Sequence, residues 1–111
     1  MTVYDTIRSS MELGKPVRVI HKGHERFMCA HTLGHTNGYQ QALLYQYGGS
    51  TSKGPLTAPE WRCLRLHDVT QIEIIDDAWH TGHNHSRPQT CVKDISMQVY
   101  VDADGNPKLA A

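Results

Sequence analysis

"ERFMCAHTLGHTNGYQQALLYQY", residues 25–47, carries two β-patterned runs on either side of Asn37-Gly38. Both residues of that pair tolerate positive φ, which a tight two-residue hairpin turn demands. The stretch therefore reads as a hairpin, with strands over 25–33 and 39–47. In the second strand Leu43, Tyr45 and Tyr47 share one face, and Ala42 and Leu44 the other.

Outward from this hairpin the β texture continues. "VRVIH" (17–21) is short and β-branched, and Lys22-Gly23 is a second turn across which 25–33 pairs back. Downstream, "GGSTSKGPLTAPE" (48–60) is a long loop of Gly, Ser, Thr and Pro. "WRCLRL" (61–66) returns as a strand, and "HDVTQIEII" (67–75) follows with Val69, Ile72 and Ile74 expected inside. Residues 76–90 are irregular. "DISMQVYVD" (94–102) alternates cleanly, with Ile95, Met97, Val99 and Val101 on one face. Upstream, Val3, Ile7 and Met11 recur four apart with Tyr4 beside them, the stripe of a short helix. Thr2 suits its N-cap, with Asp5 in the first turn, and Gly14 followed by Pro16 ends it. These elements predict an α+β fold in which an N-terminal helix packs on a small, mostly antiparallel β-barrel of five or six strands. Closure would remove the exposed edges that a small flat sheet carries. Residues 1–111 form a single domain: the helix over about 2–13, the barrel over about 16–102 and a frayed tail over 103–111.

Composition narrows the function classes. Hydrophobic residues are 39% of the 111 and charged residues 20%, the mixture of an ordinary globular chain. Lys plus Arg equals Asp plus Glu at 11 each, so a nucleic-acid grip would need a local basic patch rather than a global excess. Eight histidines make the chain cationic below about pH 6.5. No run approaches the ~20 apolar residues of a membrane span, and "MTVYDTIRSS" (1–10) has no signal-peptide pattern. The expected setting is cytoplasmic, away from membranes. Cys29, Cys63 and Cys91 are odd in number and widely spaced, a poor disulfide framework, and read as small buried hydrophobes with reduced thiols.

"GKPVRVIHKGHERFMCAHTLGHTNGYQQALLYQYGG" (14–49) and "WRCLRLHDVTQIEII" (61–75) together resemble the WYL-like domain of bacterial regulators. The matching features are the basic strand pair, His31 ahead of a Leu-Gly step, the "LLYQ" strand, and an aromatic-basic strand running into "HDVTQIEI". The Trp-Tyr-Leu tripeptide that names the family is replaced by Gln40-Gln41-Ala42. About sixteen residues precede the strands, so the resemblance is to a stand-alone member without a DNA-binding helix-turn-helix. It implies an Sm-like small β-barrel and a regulatory role in sensing a ligand, nucleic-acid pieces included.

Two groups of side chains carry chemistry. Arg18, Arg26, Arg62 and Arg65 fall on expected strands with Tyr39, Tyr45, Tyr47 and Trp61 near them in sequence. Guanidinium groups beside aromatic faces suit nucleotides and other anions. The "GGSTSKG" loop (48–54) offers backbone N–H groups, three hydroxyls and Lys53 to a phosphate, although its order is not that of a P-loop. The opposing interpretation makes the aromatics core and the arginines solvated strand faces. The expected function is a non-enzymatic binding or sensing module for a small anionic or nucleotide-like ligand, or a short nucleic acid. Its site would be Arg26, Tyr45, Arg62 and Arg65, with Lys53 closing over the ligand. No catalytic residue is expected.

The second group lies in "WHTGHNHSRPQTC" (79–91). His80, His83, His85 and Cys91 could supply a tetrahedral set for zinc, although the spacing follows no standard pattern. The alternative is a polar loop pinned by Trp79 and Cys91. His21, His24 and His35 read as solvated turn histidines, while His31 interrupts an apolar strand. A third possibility is a structural module that forms homo-oligomers through strand 94–102.

Overall fold

A computed structural model describes residues 2–80, 89–102 and 106–110. The chain opens with α1 (Val3–Leu13), then β1 (Val17–His21), β2 (His24–Thr36), β3 (Tyr39–Thr51), the short β4 (Gly54–Pro55) and β5 (Glu60–Arg65). A 3-10 turn, Leu66–Asp68, leads into β6 (Val69–Ile74), and β7 (Asp94–Val101) and β8 (Pro107–Ala110) complete it. Among the described residues no helix is long and apolar enough to cross a membrane.

Local chemistry accounts for the first half. Thr2 Oγ1 accepts from Asp5 N at 3.0 Å and the Asp5 carboxylate accepts from Thr2 N, so both ends of the expected cap engage. Gly14 stops α1 in the left-handed region at φ 67°. Lys22 and Gly23, then Asn37 and Gly38, all have positive φ, as the hairpin turns require. β2 and β3 are longer than expected, at 13 residues each.

Every pairing in the sheet is antiparallel: β5–β3–β2–β1–β6 form one run, β4 pairs with β3, and β7 and β8 extend from β2. The expected barrel is not what forms. The sheet stays open, with most of the described residues in strands and one short α-helix, so the fold is mostly β rather than an α+β barrel. The reason lies in β2. Its first half pairs with β1 and its second half with β7, on the side away from β3. A register shift between Ala30 and Thr32 bends the strand between the two partners. The sheet therefore branches at β2, and β7 comes back to the middle of the sheet instead of meeting its far edge. Gly34 makes the branch possible: a Cβ there would collide with the Asp94 carbonyl oxygen of β7.

α1 covers one sheet face. Ile7 and Met11 meet Val17, Val19, Met28, Ala30, Leu44 and Leu64 in the core, with Val3 and Tyr4 packed at its margin. Val69 is buried as expected, while Ile72 and Ile74 are half-buried. On β7 the alternation holds only in part: Val99 is buried and Ile95 is 48% exposed. Residues 107–110, expected to fray, form β8 against β7. β7 is thereby paired with β2 over Asp94–Gln98 on one side and with β8 over Gln98–Val101 on the other.

Candidate anion site

At one end of the helix-covered face the apolar side chains give way to cations. β1 and β2 pair Val19 with Arg26 and His21 with His24, so alternation puts His21 and Arg26 on the core side with Val17, Val19 and Met28. β3 and β5 pair Leu44 with Arg62 and Gln46 with Glu60, which brings Arg62 to the same side. Arg26 Nη1 donates to Gln46 Oε1 at 3.1 Å. Gln46 is fully buried and its Nε2 donates to the Gly48 and Ser50 carbonyls, so it ties Arg26 to the start of the next loop. Arg62 Nη2 meets Glu60 Oε2 at 2.7 Å.

Three buried nitrogens in this group have no hydrogen-bond partner among the described residues: Arg26 Nε, Arg62 Nε and His21 Nδ1. Arg26 and His21 are only 6% and 8% exposed. Leaving such a group unpaired costs roughly 1–3 kcal/mol, and the two guanidinium Nε–H groups, which can only donate, lack an acceptor among the described residues. The groups feel one another. Burial first, and the Arg62 charge second, lower the Arg26 pKa, though a guanidinium keeps its proton at physiological pH. Burial first, then the Arg26 charge, hold the His21 imidazole below its ordinary range, with Lys22 and His24 adding to this and Asp68 opposing it.

Beside Arg62 lies a groove of about 210 Å³, lined among others by Thr51, Ser52, Lys53, Thr57 and Glu60. Thr51 shapes its wall: Oγ1 donates to the Gly54 carbonyl and accepts from Lys53 N. Arg62 and Lys53 thus line one groove, and Arg26 stands beside Arg62. The other two expected site residues lie elsewhere. Arg65 is three positions from Arg62, so alternation sends it to the opposite face, where its guanidinium sits 4.4 Å from the Tyr39 ring centre. Tyr45 points to that face too and packs against Trp61 at 5.1 Å. Arg18 is taken up by Glu25 at 2.6 Å and Glu73 at 3.6 Å.

Sequence reading missed Gln46 and took His21 for a solvated turn residue. The signal for His21 was its parity with Val17 and Val19 in β1, which predicts the buried face. His31 is buried as well; its Nδ1 donates to the Cys29 carbonyl at 3.0 Å, and its ring packs against Trp61 and Trp79.

The alternative metal set does not assemble from the described residues. Cys91 is bonded to Cys63 with a Cα–Cα separation of 5.7 Å, so it has no thiolate to offer, and the expectation of three unpaired thiols is corrected. The spacing of 28 residues hid a pair that the return of the chain after β6 brings together. His80 is exposed and stacks on Tyr47 with ring centres 3.9 Å apart. His83 and His85 lie outside the described residues. Among the described residues no group of three or more His, Cys, Asp or Glu is placed to hold a metal ion. Cys29 is buried, and burial pushes its thiol up to about 12, far from the range of a reactive thiolate.

No protein-family model matches this chain, and no match is found among curated proteins or solved structures.

Proposed function

We propose that this chain is a non-enzymatic binding module for a small anion, either free or as the phosphate end of a nucleotide-like ligand. The observation that carries this reading is the adjacent pair of guanidinium groups, Arg26 and Arg62, each with a buried, unpartnered Nε. Two cations, Arg62 and Lys53, line the groove with the Glu60 carboxylate, and Arg26 stands beside Arg62 outside that lining. The net positive charge of the groove, with Arg26 beside it, suits an anion. Pockets that enclose a whole drug-sized ligand run from roughly 300 Å³ upward. A groove of about 210 Å³ therefore suits the charged end, with any base or sugar left outside. Each guanidinium facing a phosphate oxygen at about 4 Å gains on the order of 4 kcal/mol in a partly screened site, offset by the loss of hydration.

The resemblance to the WYL-like domain is consistent in kind, since it implies a ligand sensor, but the open sheet removes the barrel that went with it. The cytoplasmic setting expected from the sequence would keep Cys63 and Cys91 as thiols; their bond argues for an oxidising compartment.

Titration of the purified chain with sulfate, inorganic phosphate and a nucleoside monophosphate, followed by calorimetry, tests the proposal. Saturable binding is expected, weakened about tenfold or more in Arg62→Ala, as befits loss of a charge-assisted hydrogen bond. Absence of saturable binding for all three ligands at about 10 mM, a free energy of under ~3 kcal/mol, overturns it.

A further inference from the structure

We propose that the anion site is proton-linked through His21, so that the chain binds its anion more tightly when that imidazole carries a proton. The inference rests on the anion-binding reading above and adds its regulation. Its basis is placement. His21 ends β1 on the same face as Arg26, is 8% exposed, and presents a buried Nδ1 without a partner among the described residues. Every strand and turn packed on it contributes a charge or an apolar contact. β2 brings Arg26 and His24, the β1–β2 turn brings Lys22, and the 3-10 turn brings Asp68. β6 pairs Val69 directly with His21.

In the empty site a proton on His21 would place a second buried positive charge next to Arg26. Asp68 is the counter-charge within reach, and it is shared: Lys22 Nζ stands 3.9 Å and His67 Nε2 3.3 Å from its carboxylate. The imidazole therefore stays neutral near pH 7, consistent with the lowering by burial and by Arg26. An anion seated on Arg26 and Arg62 reverses the local balance. It supplies negative charge near a protonated His21, whose Nδ1–H has no partner among the described residues. By linkage, whatever raises proton affinity on binding the anion raises anion affinity on binding the proton.

Sulfate is the probe of choice, because its charge does not change between about pH 5 and about pH 8, the window in which histidine titrates. The sulfate dissociation constant is measured at about pH 8 and about pH 5.5 for the wild type, His21→Gln and His24→Gln. The expected result is tightening of about fivefold or more at the lower pH in wild type and His24→Gln, and little change in His21→Gln. Equal slopes in wild type and His21→Gln overturn the proposal. If His21→Gln does not fold, the imidazole resonances of the wild type decide. A His21 titration midpoint that rises with saturating sulfate supports the link, and one that sulfate leaves in place overturns it. Sulfate binding that is independent of pH but weakened by Arg62→Ala removes only the proton link. Absence of sulfate binding at both pH values removes the anion site itself.

Discussion

Arg26 is buried beside Val19, yet a single side chain, Gln46, is its hydrogen-bond partner among the described residues. A cation so placed shapes its neighbours, and His21 shows how. The unfolded chain titrates that histidine at about pH 6.5, while the folded chain, through burial and the Arg26 charge, holds it lower. Above about pH 6.5 neither state takes the proton and stability is independent of this group. Below it the unfolded chain binds a proton that the folded chain refuses, so stability falls with pH until the folded midpoint is passed. The thermal midpoint of the anion-free protein is therefore expected to drop between about pH 7 and about pH 5, with a shallower drop in His21→Gln. Identical pH profiles for the two proteins would mean that His21 is equally easy to protonate in both states.

Among the elements, the hairpins were legible and the later connections were not. Lys22-Gly23 and Asn37-Gly38 declare their turns because positive φ is a property of the residues themselves. The partner of β7 is set by pairs such as Leu33 with Met97, more than sixty positions apart, and no local pattern encodes that choice. Gly34 is the trace it left: a glycine within a strand often marks close approach of another backbone. The candidate site was legible as far as Arg26, Arg62 and Lys53. Arg65 and Tyr45 were misplaced because composition was weighed ahead of the two-residue period that separates Arg62 from Arg65. The Cys63–Cys91 bond belongs at this scale too. It joins β5 to the segment entering β7, where Gln41 Nε2 also donates to the Cys91 carbonyl at 2.7 Å. Closing a loop of 28 residues removes chain entropy worth roughly 3–4 kcal/mol from the unfolded state. Paired Cys63→Ser and Cys91→Ser substitution is expected to lower unfolding free energy by about that amount in urea titration. A loss below ~1 kcal/mol would show that the native segment is held by its hydrogen bonds and by buried Val92 instead.

For the whole molecule the open sheet raises the problem that a barrel would have solved, since an unpaired strand edge is a template for another chain. β8 answers it on one side. Residues 107–110 run along β7 from Val101 back to Gln98 and occupy backbone groups that would otherwise face solvent. The neighbouring surface is apolar for an exposed one: Ile95, Tyr100 and Leu109 are 48%, 54% and 41% exposed. If β8 acts as a guard, ending the chain after Asp102 leaves β7 with a free edge flanked by Ile95 and Tyr100. Such a protein should keep the β1–β2–β3 hairpins and the Arg26–Arg62 pair, because neither depends on β8 for a partner. Light scattering across a concentration series is then expected to show its mean mass rising more steeply than that of the intact chain, with sulfate affinity unchanged. Coincident mass curves would assign β8 no part in keeping copies apart, and a joint loss of mass homogeneity and sulfate binding would show that the branch at β2 and the cationic end of the sheet stand or fall as one unit.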